Sequence, residues 1–244
     1  MIWETNIAYI LEGSKDEYSL TDFQIGLLGS SFTFGMLFGT VVFGLVADRY
    51  GRMIAFKSDV CINAIFSLML MLSFGPIMIA ISLFFIGFGV AGELSLPGTI
   101  FYEFCPPSKA YYLTIMAGFW AIGGVFSALS ALLTVLFNDT SIYSWRIIVA
   151  CGFIVELFCV FFRFFLDESP AFYYASGQIE KMQNVLNKIS KQNKGKEIVF
   201  DIRMGSENES VREIKNSDSS KMIKKVFSGK NFKIICAFCV VRCI

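Results

Sequence analysis

Two carboxylates and an arginine stand in stretches otherwise fit for hydrocarbon. Glu93 interrupts the apolar run Ile77 to Phe104, and Glu156 and Arg163 fall within Arg146 to Leu166. A charge inside such a stretch is costly in lipid and persists where it faces a cavity or a partner, so Glu93 is the first candidate for solute contact or proton exchange. It lies about 15 Å of helix inward of Glu103, close to the depth at which a solute would bind. The competing role is a structural carboxyl that hydrogen-bonds a neighbouring helix. Glu156 joins Glu93 as a candidate for substrate contact or proton coupling, as does Trp120, an aromatic beside a glycine-rich face. Arg163 is close enough to its helix end to snorkel, and Asp59 with Lys57 reads as the decoration of a helix end.

Other chemistries are excluded by residue type. The 244 residues contain no histidine, which removes the usual general base, the Ser/His and Cys/His nucleophile pairs and the commonest metal ligand. Cys236, Cys239 and Cys243 recur at helical spacing, but they lie in an apolar segment without a histidine or acidic fourth ligand. No metal site, no cofactor and no enzymatic activity are expected. Lys and Arg number 21 against 20 Asp and Glu, so no basic excess points to nucleic acid.

The elements that must carry these residues are membrane spans. Apolar residues make up 55% of the chain and charged ones 17%, with a mean hydropathy of +0.61. A crossing needs about 20 mainly apolar residues. Five complete runs qualify: Ile25 to Ala47, Ile54 to Phe74, Ile77 to Phe104, Tyr112 to Phe137 and Arg146 to Leu166. The expected fold is all-α: a five-span bundle over 25–166, preceded by a remnant of a first span and outer loop over 1–24. A cut start of a seventh span is expected over 231–244. Gly35 and Gly39 form a GxxxG pair suited to packing against a helix of the same chain.

Basic residues set the orientation, because cytoplasmic loops near helix ends carry the excess. Arg49, Arg52 and Lys57 follow the first complete span, Lys109 the third, and the stretch from Asp167 to Lys233 holds 13 of the 21 basic residues. These loops are expected in the cytoplasm. Within the cytoplasmic stretch 167–230, the apolar residues of Gln178 to Lys191 recur at three and four, predicting an amphipathic helix over 178–191. From Lys194 to Ser220 the composition predicts a disordered linker.

The run Gly44-Leu45-Val46-Ala47-Asp48-Arg49-Tyr50-Gly51-Arg52 resembles the loop signature Gly-x-x-x-Asp-Arg-x-Gly-Arg-Arg of the major facilitator superfamily, departing at Met53. Gly87 to Pro97, with Glu103 and Pro106 beyond it, resembles the superfamily's fourth crossing. Asp167-Glu168-Ser169-Pro170 looks like the Pro-Glu-Ser-Pro signature of the sugar-porter branch. Together these run in register from about Glu12 to Phe232 and look nearest to the synaptic-vesicle-like, phosphate and organic-ion porters. Leu83 departs from the arginine common in relatives, and Ala110 and Tyr111 replace an Arg-Gly pair.

The resemblance implies the N-terminal six-helix half of a transporter, with the first helix mostly missing and the seventh cut. It implies that Asp48, Arg52 and Glu103 meet in a cytoplasmic gate, with Gly44, Arg49 and Gly51 completing the loop and Glu168 in the same layer. In phosphate porters with a similar Gly-Gly-Asp-Tyr-Pro stretch, the acid matching Glu93 serves proton coupling or substrate contact. The expected function is alternating-access symport or uniport of a small polar or anionic solute such as a sugar, phosphate or organic ion. The expected setting is a lipid bilayer, the plasma membrane, with a second half-transporter chain as a candidate partner. The alternative is a non-transporting membrane protein, truncated or in need of another chain.

Overall fold

A computed structural model describes residues 2–104, 111–137 and 144–192; the Glu103 side chain, the expected linker and the expected start of a seventh span at 231–244 lie outside them. The described residues form eight helices and no strand: α1 Ile2–Tyr18, α2 Asp22–Tyr50, α3 Arg52–Met71, α4 Pro76–Phe104, α5 Tyr112–Phe137, α6 Ser144–Phe164, α7 Pro170–Ala175 and α8 Ile179–Gln192. Helices α2 to α6 are each long and apolar enough to cross a membrane. The protein is an integral multi-pass membrane protein. The first helix runs on through Glu12 to Tyr18, residues that composition alone assigns to an outer loop. The reason is packing: Trp3, Asn6, Ile10 and Ser14 are buried at three- and four-residue spacing, and Gly13 lies against the Trp145 ring of α6.

Turn chemistry fixes where the spans begin. Thr21 caps α2: its hydroxyl accepts from the Gln24 N–H at 3.4 Å, and its own N–H donates to Gln24 Oε1 at 2.9 Å. Gly51 separates α2 from α3 at φ 117°, a backbone state that L side chains rarely adopt.

Close crossings fix the order of the bundle. A side chain at Gly35 or Gly39 would run into the α4 carbonyls of Phe84 or Phe88, and one at Gly87 into the α2 carbonyl of Phe32. The GxxxG pair therefore packs within the chain, letting α2 and α4 meet backbone to backbone. Phe43, Ala47, Met53, Ala55, Leu96 and Ile100 form one buried cluster towards the end that carries the 44–53 loop, here called the basic end. Trp3, Ile10, Phe32, Leu83, Val90 and Trp145 belong to a second.

At the opposite end a polar knot ties three elements together. Arg146 Nη2 donates to Glu17 Oε1 at 2.6 Å, to Tyr18 Oη at 3.0 Å and to the Ser73 carbonyl at 2.9 Å. The Trp145 indole donates to Glu17 Oε2 at 2.8 Å. Each joins residues far apart in the chain, so no local sequence pattern reveals it.

Candidate functional site

Three helices aim ionisable side chains at one place inside the bundle. Asp59 and Asn63 come from α3, Glu93 from α4, and Glu156 and Arg163 from α6. The spacing on each helix makes this possible. Phe56, Asp59 and Asn63 lie at i, i+3 and i+7, and Glu156 and Arg163 at i and i+7, so each set shares a helix face. On α4, Gly89 and Gly92 remove the side chains that would fill the space. A Cβ at Gly92 would stand 2.7 Å from Asp59 Cβ and 2.9 Å from its Oδ2, and one at Gly89 would strike Asn63 Oδ1. Pro97 has no N–H to give the Glu93 carbonyl, which breaks the α4 ladder beside the acid.

Arg163 organises the cluster. Its Nη1 donates to Asp59 Oδ1 at 2.7 Å and to the Phe56 carbonyl at 3.1 Å, and Nη2 reaches Glu93 Oε1 at 3.3 Å. Its guanidinium carbon lies 3.9 Å from the Phe56 ring centroid, within cation–π range. Arg163 therefore does not snorkel; it turns inward because two carboxylates and an aromatic face satisfy it better than lipid would. Asp59 likewise decorates no helix end: it is wholly buried, as is Asn63, and Glu156 is 6% exposed. Lys57, paired with Asp59 on sequence grounds, points away and donates to the Phe164 and Leu166 carbonyls at 3.3 and 2.9 Å, capping the end of α6.

Glu156 lies beside Glu93 and Asn63. Among the described residues its Oε1 has no hydrogen-bond partner, nor has either polar atom of the Asn63 amide, nor Asp59 Oδ2. Sequence reasoning singled out Glu93 and Glu156 and passed over Asp59, Asn63 and Arg163. The shared face on α6 and the Asp59/Asn63 pair on α3 were the available signals. Trp120 is not brought to the cluster; it lies 44% exposed on α5.

In the loop motif two of the charged residues face outward. Gly44 meets nothing within 4 Å, so close packing is not its role in the described chain. Asp48 and Arg49 are exposed, and Asp48 makes no ion pair among the described residues; Arg49 lies 5.9 Å from the Tyr50 ring. Glu168 makes the contact between the 167–170 turn and the start of α3. Both its oxygens accept from the Met53 N–H at the start of α3, at 3.1 and 3.0 Å, and Oε1 also accepts from the Ser169 N–H. A carboxylate at a helix N-terminus gains from the unpaired N–H groups and the helix dipole, with no cationic side chain required. Gly51 makes room: a Cβ there would sit 2.5 Å from Glu168 Oε2. Nearby Tyr173 has its phenol pushed above the usual range by burial, with Glu168 adding to the effect. Two clefts of about 460 and 550 Å³ open at this end, the larger lined by Phe56, Phe101, Phe104, Phe165, Val185 and Ile189. The second shows what the apolar face of α8 covers.

A family model described as "Sugar (and other) transporter" matches residues 2–244. The chain belongs to this family. Its members are transporters, not enzymes, and the helical fold agrees. Synaptic vesicle glycoprotein 2A of Rattus norvegicus is 26% identical over 196 residues, covering 77% of this chain and 26% of that protein. Synaptic vesicle 2-related protein of Xenopus laevis is 28% identical over 180 residues, covering 72% and 31%. The chain thus spans between a quarter and a third of these relatives. The solved xylose transporter XylE from E. coli, partially occluded and inward open, superposes with a TM-score of 0.69 at 19% identity, over 88% of this chain and 54% of that one. A second XylE structure, described as a proton:xylose symporter bound to 6-bromo-6-deoxy-D-glucose, gives 0.68. At this identity the likeness establishes a shared major facilitator fold.

Proposed function

We propose that the chain forms one half of a secondary transporter for a small polar or anionic solute, of the sugar, phosphate or organic-ion kind. The half works against a second six-helix half by alternating access, with Glu93 and Glu156 exchanging the protons that drive symport. The observation that carries this is the cluster of three carboxyls around one arginine, buried where a purely structural bundle would place apolar side chains. Such groups inside a span are expensive, and they mark substrate or ion pathways and proton relays. The symport activity in the description of a XylE structure supports the same class of coupling. The Glu168 latch and the 44–53 loop form the cytoplasmic closure in this reading, with Glu103 and Arg52 in the same layer. The membrane is the plasma membrane, and a fluorescent fusion found only on internal vesicles, as the relatives' names would suggest, would overturn that placement.

The test is uptake by proteoliposomes holding the chain together with its second half, screened over sugars, phosphate and organic ions, with and without an inward proton gradient. Accumulation that requires the gradient is expected, and Glu93→Gln should abolish accumulation while sparing solute exchange. Gradient-independent accumulation, or an unaltered pH profile in well-folded Glu93→Gln protein, would contradict the coupling role. The chain alone should not accumulate solute. For the topology, Lys215→Cys on a cysteine-free background should resist an impermeant thiol reagent outside intact cells; labelling there would reverse the orientation.

A further inference from the structure

The cluster contains three carboxyls and one guanidinium, and the guanidinium is already committed. Arg163 gives one N–H group to Asp59 and another to Glu93, at 2.7 and 3.3 Å, so these two acids have a cationic partner in hydrogen-bond contact. Glu156 has none. It is the remaining carboxyl, it is more than nine-tenths buried, and its Oε1 has no donor among the described residues. An ionised carboxylate in that position would be a buried charge with no cationic group in hydrogen-bond contact, only the neutral Asn63 amide beside it. One proton changes the inventory: the neutral acid becomes a donor. Beside it stand the wholly buried Asn63 amide, whose oxygen lacks a donor, and the Glu93 carboxylate, which Arg163 reaches at 3.3 Å. The Asn63 amide is unpaired at both its oxygen and its nitrogen, so it can accept from the neutral acid and donate to the ionised one, and thus accompany Glu156 through a change of state. A metal ion is the other way to satisfy such oxygens, but no three Asp, Glu, Cys or His side chains among the described residues converge as a metal site.

We infer that Glu156 is the carboxyl that holds the exchangeable proton, with the Asn63 amide as its hydrogen-bond partner, and that Arg163 is a positioning residue that holds Asp59 and Glu93 in place. The assignment rests on the transport reading above and deepens it, since that reading leaves the proton to either Glu93 or Glu156. The charged and titratable groups that face Glu156 are Glu93 on α4, and Cys159 and Arg163 on its own helix, with Asp59 of α3 on the far side of Arg163's contacts. Glu93, whose side chain is 19% exposed, is the more accessible of the two acids and the route by which the proton arrives.

The experiment is infrared difference spectroscopy of the purified chain in lipid nanodiscs, stepping pH and following the carbonyl band of protonated carboxyl groups. A pH-dependent band is expected in the parent chain and should be lost in Glu156→Gln, which keeps the shape and donor capacity of the neutral acid and so should fold. It should remain in Glu93→Gln and shift in frequency in Asn63→Leu, which removes the acceptor. Arg163→Lys, which keeps the charge, should preserve the band, whereas Arg163→Met should add the signal of a second protonated carboxyl. Persistence of the band in Glu156→Gln, or its loss in Glu93→Gln, would overturn the assignment. So would removal of the band at fixed pH by sodium chloride but not choline chloride, which would put a metal ion in the place of the proton. The transport reading fails separately: a band lost in Glu156→Gln with unchanged pH dependence of uptake by the two-half transporter would uphold the proton site and sink its role in coupling.

Discussion

Glu156 and Glu168 are carboxyls twelve positions apart, and the chain treats them in opposite ways. Glu168 sits where α3 begins, and backbone N–H groups of Met53 and Ser169 fill its oxygens. Glu156 sits within the bundle with an oxygen left open among the described residues. A carboxylate met by fixed donors is a structural clasp, stable in one protonation state. A buried carboxyl short of donors is held in readiness to change state. The difference between clasp and exchanger thus comes from the donor inventory around the group and not from its residue type.

The largest expected effect falls on the interior site. Replacing Arg163 by Met leaves three carboxyls without a guanidinium, and breaking a buried pair from one side costs about 3–5 kcal/mol. Thermal unfolding in detergent should show a severe loss. Asp59→Leu combined with Arg163→Met should be less damaging than the sum of the singles, since neither partner is left uncompensated. A sum of full size would break the claim that the two residues act as a pair.

At the clasp, Gly51→Ala should cost about 1–3 kcal/mol, because alanine is strained at φ 117° and its Cβ would press on Glu168 Oε2. Limited proteolysis after Leu166 should accelerate. Glu168→Gln should cost about 1 kcal/mol, keeping one oxygen acceptor but losing the charge that favours the helix N-terminus. Asp48→Asn should change stability by less than about 0.5 kcal/mol, as expected of an exposed side chain with no ion pair among the described residues. A large loss there would give Asp48 a structural role that its exposure does not predict.

The spans were legible because each apolar run is broken by charges or turn residues. Tyr112 to Phe137 agrees at both ends, and the amphipathic helix starts one residue later than its pattern suggests and ends one residue later. The all-α class and the family followed from those runs and three motifs. What stayed hidden depended on direction. Arg163 has two ways to satisfy its charge near a helix end, out to headgroups or in to Asp59, and only the neighbouring helix decides between them. Glu168 was legible as a motif residue, but its partner is a backbone N–H that exists only once α3 has formed. Gly51 was readable as a turn; the second demand on it, clearance for a carboxylate more than a hundred positions later in the chain, was not.

The proposed contrast between exchanger and clasp should be visible in the pH profile of gradient-driven uptake. Glu156→Gln and Glu168→Gln would be measured side by side in the two-half transporter, at matched folded yield. The account predicts that Glu156→Gln loses accumulation and flattens the profile, while Glu168→Gln lowers the rate and leaves the shape of the profile unchanged. An intact profile in Glu156→Gln, or a flattened one in Glu168→Gln, would contradict it.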